Sequence, residues 1–243
     1  MKKVVLITGA SRGIGAATAK VLASQGYSVA INYRANRDEA EKVLAQVLQF
    51  GVEATIVQAD VSDEAQVVEM FQQVQRQLGS VTHLVNNAGI LKKQTSLLGL
   101  DAQRINQILS TNVTSYFICT REAVRQMSSG SAIVNVSSVA AKTGSPNEYV
   151  DYAASKGAID TMTIGLAKEL ANQNIRVNCV RPGLIETDIH ALGGEPKRYE
   201  RVGKTLPMER GGKPEEVANA IAWLLSDEAS YSSGTFIDVA GGL

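Results

Sequence analysis

Seven short apolar runs that lack in–out alternation set the strongest limit on what this chain can fold into. They cover residues 3–8, 28–33, 54–58, 82–86, 132–137, 176–181 and 235–239. A strand with one wet face alternates apolar and polar side chains, so runs of this kind suit strands buried on both faces. Burial on both faces requires helices above and below the sheet. Six helical stretches are available, at 13–25, 37–50, 64–78, 103–127, 149–171 and 214–225. Such regular alternation implies parallel strands joined by helical crossovers. The expectation is an α/β fold, a doubly wound, seven-stranded parallel sheet flanked by helices. The 243 residues can bury such a sheet in one domain. No Pro/Ser-rich linker, repeat or low-complexity tract divides residues 1–243.

Composition narrows the function. Lys+Arg and Asp+Glu number 24 each, a formal net charge of zero, so no basic excess points to nucleic acid or an anionic membrane. Cys119 and Cys179 have neither CxxC nor metal-ligand spacing and lie in apolar patterns, as buried thiols do. With two histidines and no Cys/His cluster, zinc chemistry is unsupported and no metal is expected. The apolar run after Lys2-Lys3 stops at Thr8-Gly9, too short for the core of a leader. No stretch approaches the ~18 apolar residues of a membrane span. The expectation is a soluble cytoplasmic protein.

Thr8-Gly9-Ala10-Ser11-Arg12-Gly13-Ile14-Gly15 closes the first run and opens the first helical stretch. There Gly9 permits a tight turn, Gly13 a close backbone approach to phosphate, and Gly15 tight helix–strand packing. The helix N-terminus then presents N–H groups and positive partial charge to a pyrophosphate. The turn lacks the Lys-Ser/Thr of a phosphate-cleaving loop. The combination reads as a Rossmann-type dinucleotide-binding domain. Sites that prefer NAD place a carboxylate at the end of the second strand, on the ribose 2′-hydroxyl. Here that end is Asn32-Tyr33-Arg34-Ala35-Asn36. Arg34, with Arg12 from the glycine turn, favours a 2′-phosphate and hence NADP(H), with NAD(H) as the alternative.

Tyr152 and Lys156 stand four residues apart in a helical stretch, on one face and one turn apart. A tyrosine with a pKa near 10 is a poor proton carrier at neutral pH. A cation at ~4 Å in an effective dielectric of ~20 contributes roughly 4 kcal/mol, enough to lower that pKa by up to about three. Burial of the phenolate opposes the change. The expectation is a tyrosine drawn toward the range useful for acid–base work.

Taken in order, the glycine turn, Asn86-Asn87-Ala88-Gly89, Ser138, Tyr152 with Lys156, and Pro182-Gly183 resemble the classical short-chain dehydrogenase/reductases, and within them the ketoacyl-reductase and glucose-dehydrogenase-like branch. The resemblance runs from about Val4 to Gly242. It implies that Tyr152 is the acid/base that protonates a carbonyl oxygen. Lys156 would lower the tyrosine pKa and hold the nicotinamide ribose, and Ser138 would position the substrate oxygen. Ser137 is the adjacent alternative; Ser138 is preferred because it begins the loop leading to Tyr152. Asn112, in Thr111-Asn112-Val113, would support a water relay from the lysine. By the same resemblance Asp60 and Val61 contact adenine. Asn87, Ala88 and Gly89 line the cofactor, and Pro182, Gly183, Ile185 and Thr187 contact nicotinamide and its amide. A homo-oligomer, commonly a tetramer, is implied as well. The helices bearing Tyr152 and residues 103–127 would meet across one two-fold, and the final segment across another.

Residues 183–212 break the rhythm with Gly193-Gly194, Pro196, Pro207 and Gly211-Gly212. They follow a strand end, where open α/β sheets bind ligands, and their length suggests a substrate lid. His190 within it is a candidate substrate ligand, read more readily as a solvated lid residue. Family members acting on acyl carrier protein carry basic residues beside the entrance. The matching stretches here, Met127-Ser128-Ser129-Gly130 and Asn172-Gln173-Asn174, hold none. The expected substrate is therefore a small carbonyl or alcohol, sugar-like in one version. A 3-oxoacyl-carrier-protein reductase is the first alternative, and a nucleotide-sensing regulator without turnover the second. The tail reads Asp238-Val239-Ala240-Gly241-Gly242, where relatives often have Asp-Gly-Gly.

Overall fold

The computed structural model describes residues 2–243, apart from the side chains of His190 and Leu192. The candidate ligand His190 therefore lies outside the described side chains. The first half runs β1 (Val4–Ile7), α1 (Gly13–Ser24), β2 (Ser28–Tyr33), α2 (Arg37–Leu48), β3 (Ala54–Gln58), α3 (Glu64–Leu78) and β4 (His83–Asn86). It continues with α4 (Ala102–Leu109), a π-helical turn (Ser110–Thr114), α5 (Ser115–Val124), β5 (Ala132–Val136), α6 (Ala140–Thr143) and α7 (Val150–Glu169). Last come β6 (Arg176–Pro182), α8 (Ile189–Leu192), α9 (Arg198–Gly203), α10 (Pro214–Leu225) and β7 (Phe236–Val239).

All seven strands are parallel, in the order β3-β2-β1-β4-β5-β6-β7. The missing alternation in the apolar runs is explained by what each face meets. Val5 and Ile7 join a core with Leu22 of α1, Val43 of α2 and Ile221 of α10. Val4 and Leu6, pointing the other way, join a second core with Phe71 of α3, Cys119 of α5 and Ala167 of α7. Burial pushes the thiols of Cys119 and Cys179 up to about 12, so both remain protonated.

The stretch read as one helix over 103–127 is interrupted. Between α4 and α5 the π turn inserts an extra residue around Asn112, which is fully buried. Its Oδ1 accepts from the backbone N–H of Ile90 (2.8 Å), and its Nδ2 donates to the Ile90 carbonyl (3.0 Å) and to Ser155 Oγ (3.2 Å). A π turn is costly in isolation and recurs at functional sites. Here three hydrogen bonds to remote residues offset it, and none can be read from helical periodicity.

Residues 183–212 leave the sheet after β6 and return beside their own start. Gly212 N–H donates to the Leu184 carbonyl (2.8 Å) and Glu186 N–H to the Gly212 carbonyl (2.9 Å). The excursion carries α8 and α9 and lies against residues 91–95, where Gln94 Nε2 donates to Glu195 Oε2 (2.8 Å).

Candidate active site

In the strand order, β1 lies between β2 and β4, so the chain winds away from β1 in both directions. That is the switch point at which open parallel sheets form a crevice beyond their strand ends. A cleft of about 900 Å³ opens there. The glycine-turn residues Gly9, Ser11, Arg12, Gly13 and Ile14 line it, with Arg34, Asp60 and Val61 from the ends of β2 and β3. Asn87, Ala88 and Gly89 follow β4, Ser138 follows β5, and Pro182, Gly183, Ile185 and Thr187 follow β6. Tyr152 and Lys156 reach it from α7. Gly15 and Asn112 are not on its wall.

Gly15 acts by absence of bulk. A methyl group there would lie 2.7 Å from Asn87 Nδ2 and 2.8 Å from the Gly9 carbonyl oxygen. That space is taken because Asn87 clamps the turn, its Nδ2 donating to the carbonyls of Thr8 (2.8 Å) and Gly9 (3.1 Å). Gly13 adopts φ of 55°, a left-handed conformation disfavoured for other residues. No side chain caps the N-terminus of α1, so its first N–H groups remain directed toward the cleft end. Asn32 was not singled out in the sequence, yet it lines the cleft and accepts the Gly9 N–H at 3.1 Å. Arg34 Nη1 stands 3.7 Å from Asp60 Oδ2, with the arginine side chain 62% exposed. Asp60 Oδ1 is occupied by the N–H (3.0 Å) and hydroxyl (2.6 Å) of Ser62. The guanidinium thus stays largely in solvent at the rim.

The two serines after β5 separate clearly. The Ser137 hydroxyl is buried and donates to the Lys156 carbonyl at 3.1 Å, tying β5 to α7. The Ser138 hydroxyl lies beside Tyr152, whose pKa it lowers, and accepts the Ala140 N–H at 3.1 Å. Lys156 Nζ donates to the Val136 carbonyl (2.8 Å) and contacts Tyr116 Oη (3.4 Å). It sits 5.7 Å from the centre of the Tyr152 ring. Sequence reasoning missed Tyr116; its place four residues after Asn112 is the signal that would have found it.

These distances correct the electrostatic expectation. Desolvation pushes Tyr152 up to about 12, only partly opposed by the neighbouring Ser138 hydroxyl. Desolvation also draws Lys156 down to about 8. With Nζ bonded elsewhere and itself buried, the lysine does not outweigh burial of the phenol. A methyl on Gly89 would lie 3.5 Å from Asn112 Oδ1 and 3.7 Å from Lys156 Nζ, so all three groups converge beneath the tyrosine.

At the far end of the cleft Arg198 donates to Glu148 Oε2 (2.7 Å) and Glu195 Oε2 (3.0 Å) and stacks 5.3 Å from the Tyr149 ring centre. Glu195 is also paired with Arg201, which holds its carboxyl below the usual range despite desolvation. The stretches compared with carrier-protein reductases fall elsewhere. Gly130 N–H donates to the Asn174 carbonyl, and Asn174 Nδ2 to Ser129 Oγ, both at 2.9 Å. They immediately precede β5 and β6, so in parallel strands they lie at the N-terminal ends of the strands, opposite the cleft. Within this chain their lack of charge therefore says nothing about the entrance. The tail packs against Gly183, where a methyl would lie 2.9 Å from Ala240 Cα. Asp238 is engaged by Lys142 (2.8 Å) and Arg181 (3.4 Å). Among the described residues no three His, Cys, Asp or Glu side chains converge as a metal site, and no helix is long and apolar enough to cross a membrane.

Residues 9–243 match the family model described as enoyl-(acyl carrier protein) reductase. An uncharacterized oxidoreductase, YgfF, of Escherichia coli is 59% identical over 98% of this chain and 99% of its own length. A 3-oxoacyl-(acyl-carrier-protein) reductase, FabG, of Staphylococcus epidermidis is 39% identical over 100% of this chain and 99% of its own. A short-chain dehydrogenase of Burkholderia cenocepacia, solved in complex with NADP, superposes with a TM-score of 0.91 at 35% identity, covering 99% of this chain and 97% of that one. With the parallel sheet, the glycine turn at its switch point and the serine–tyrosine–lysine cluster in place, the chain belongs to the classical short-chain dehydrogenase/reductase family and is an oxidoreductase of that class.

Proposed function

We propose that the protein is an NADP(H)-dependent reductase that interconverts a small carbonyl compound and its alcohol, with Tyr152 as the proton donor. The observation that carries this reading is that Ser138, Tyr152 and Lys156 meet on the wall of the same cleft that the glycine turn lines. When bound, the nicotinamide supplies or accepts the hydride. The residues present suit such a cofactor. The uncapped start of α1 and the backbone of Gly13 are placed for a pyrophosphate, and Arg12 and Arg34 for a 2′-phosphate. Asp60 and Val61 take the adenine side; Pro182, Gly183, Ile185 and Thr187 take the nicotinamide side.

Ser138 and Tyr152 donate to the carbonyl oxygen as it gains negative charge. Tyr152 then gives up its proton. A phenol held near 12 is a weak acid, but its proton goes to an alkoxide, which is more basic still. Lys156, whose pKa falls near 8, holds a proton that it can pass on near neutral pH. Asn112, facing Lys156 across Gly89, orders the route by which that proton is replaced. In the oxidising direction a cationic cofactor would favour the phenolate. Residues 183–212 act as a lid over the substrate.

Arg198 supports a neutral substrate. Two carboxylates already neutralise it, so a carboxylate substrate gains little there. The acyl-carrier-protein reading remains the second, because a 39% identical relative carries that name. A homo-tetramer is the proposed assembly. Phe117 of α5 and Ile164 of α7 stand 51% and 43% exposed on the helices assigned to its two-fold, and sedimentation would test it.

Titration with NADPH and NADH, followed by nicotinamide fluorescence, tests the cofactor assignment. About tenfold tighter binding of NADPH is expected. Preference for NADH would overturn the 2′-phosphate assignment, and binding of neither would overturn the reductase reading. In a carbonyl panel that includes acetoacetyl carrier protein, efficient turnover of the carrier-bound substrate would displace the small-carbonyl assignment.

A further inference from the structure

Tyr152 stands in the first turn of α7. The N–H groups there lack intrahelical acceptors, and such turns fray. No side chain at the preceding residue caps this helix. Asp151 does the work instead. Its Oδ1 accepts the backbone N–H of Tyr152 at 2.9 Å. The same carboxylate is gripped by Arg104, through Nε to Oδ2 (2.7 Å) and Nη2 to Oδ1 (3.4 Å). The remaining arm, Nη1, donates to the carbonyl of Lys93 at 2.7 Å. The Asp151 side chain is 2% exposed and that of Arg104 15%.

A buried ion pair is poor evidence for stability, since desolvation offsets much of its attraction. Its geometry is the informative part. One guanidinium fork joins three segments: α4, the loop after β4 that walls the cleft, and the turn carrying Tyr152. Neither Arg104 nor Asp151 lines the cleft itself. We infer that Arg104 and Asp151 are positioning residues for proton transfer, fixing the first turn of α7, and hence the Tyr152 hydroxyl, against the loop around Lys93. The inference rests on Tyr152 as the proton donor. A displacement of about 1 Å at a reacting group can cost about 100-fold in rate.

The test compares Arg104→Ala, Arg104→Lys, Asp151→Asn and the apolar pair Arg104→Met/Asp151→Leu, which leaves no orphaned charge and is expected to fold. Arg176→Ala serves as the control. Arg176 binds the carbonyls of Leu224 (2.6 Å) and Ser226 (3.0 Å) at the end of α10, so its loss weakens the fold away from the cleft. The variants of the pair should lose about 10- to 100-fold in kcat, with NADPH affinity within about twofold of wild type. The lysine variant keeps the charge but not the fork and should recover only part of the rate. The double change should cost no more than the worse single change. Arg176→Ala should lower the melting temperature and leave kcat unchanged. If kcat instead follows melting temperature across all variants, Arg176→Ala included, or if the pair variants turn over normally, the positioning role is refuted. Tyr152→Phe, measured alongside, separates the two claims. Retained turnover there would sink the proton-donor reading itself.

Discussion

At the nucleotide end of the cleft the chain presents backbone. The turn of Gly9, Gly13 and Gly15 is held by Asn32 and Asn87, and the start of α1 is left uncapped. At the substrate end it presents side chains from three separate segments: Gln94, Glu148, and Glu195 with Arg198, joined in ion pairs and hydrogen bonds. The first end is a short contiguous string whose chemistry depends on close approach. The second exists only where loops meet. A cofactor shared across a family suits a backbone site, since main-chain groups do not change with substitution. A substrate site built of side chains can change without disturbing the sheet.

The proposed catalytic centre between these ends gives the largest effect. Tyr152→Phe is expected to lower kcat by about 10²–10⁴-fold while NADPH binding stays within about twofold, measured by single-turnover kinetics and fluorescence titration. Equal loss of binding would mean that the two ends are not separable.

Lys156 yields a pH test. The folded chain holds its proton only to about pH 8, whereas the unfolded chain holds it to the ordinary 10.5. Between about pH 8 and 9 the unfolded state binds more protons, so stability rises with pH, by on the order of 1 kcal/mol over that window. Above pH 9 the thiols of Cys119 and Cys179, held to about 12 in the fold against an ordinary 9.0, reverse the trend, and Tyr152 adds to the reversal above pH 10. Urea melts of cofactor-free protein at stepped pH should show the rise, and Lys156→Met should abolish it.

Gly15→Ala probes the backbone end. The added methyl meets Asn87 and the Gly9 carbonyl, which should destabilise the fold by about 1–3 kcal/mol and weaken NADPH. An unchanged denaturation midpoint would show that the clamp is looser than its distances imply. Arg34→Ala touches the rim alone. It should weaken NADPH about tenfold and NADH hardly at all. The smallest effect on the reaction is expected at the substrate end, where Arg198→Ala should raise KM a few-fold; with that side chain only 17% exposed, loss of its pairs with Glu148 and Glu195 should cost about 1–3 kcal/mol of stability. A large drop in NADPH affinity in that variant would join the two ends after all.

Much of the first end was legible because its signals are local. Apolar runs mark strands buried on both faces, and the glycines sit within a few residues of each other where β1 becomes α1. Tyr152 and Lys156 could be paired from their spacing. Loop position favours Ser138 over Ser137, and in the fold Ser138 lies beside Tyr152 and Ser137 against the Lys156 backbone. The π turn at Asn112 was not legible, because the groups that offset it, Ile90 and Ser155, are remote in sequence. The lysine's influence on the tyrosine was overstated, because spacing gives proximity but not the Val136 carbonyl that holds Nζ. That the stretches 127–130 and 172–174 lie at the N-terminal ends of β5 and β6, away from the cleft of the same chain, was not legible, since direction along a crossover is a property of the topology.

By itself the amino-acid sequence determined which segments are strands, that both faces of the sheet would be covered, and where a phosphate-binding turn would open the first helix. Those features follow from periodicity and from what glycine alone permits over a few residues. Tertiary structure alone decided which hydroxyl meets Tyr152, how far burial overrides a neighbouring charge, and that Arg104, Lys93 and Asp151 meet at one point. Hydrogen bonds and desolvation depend on distances between residues far apart along the chain, and only the folded packing sets those.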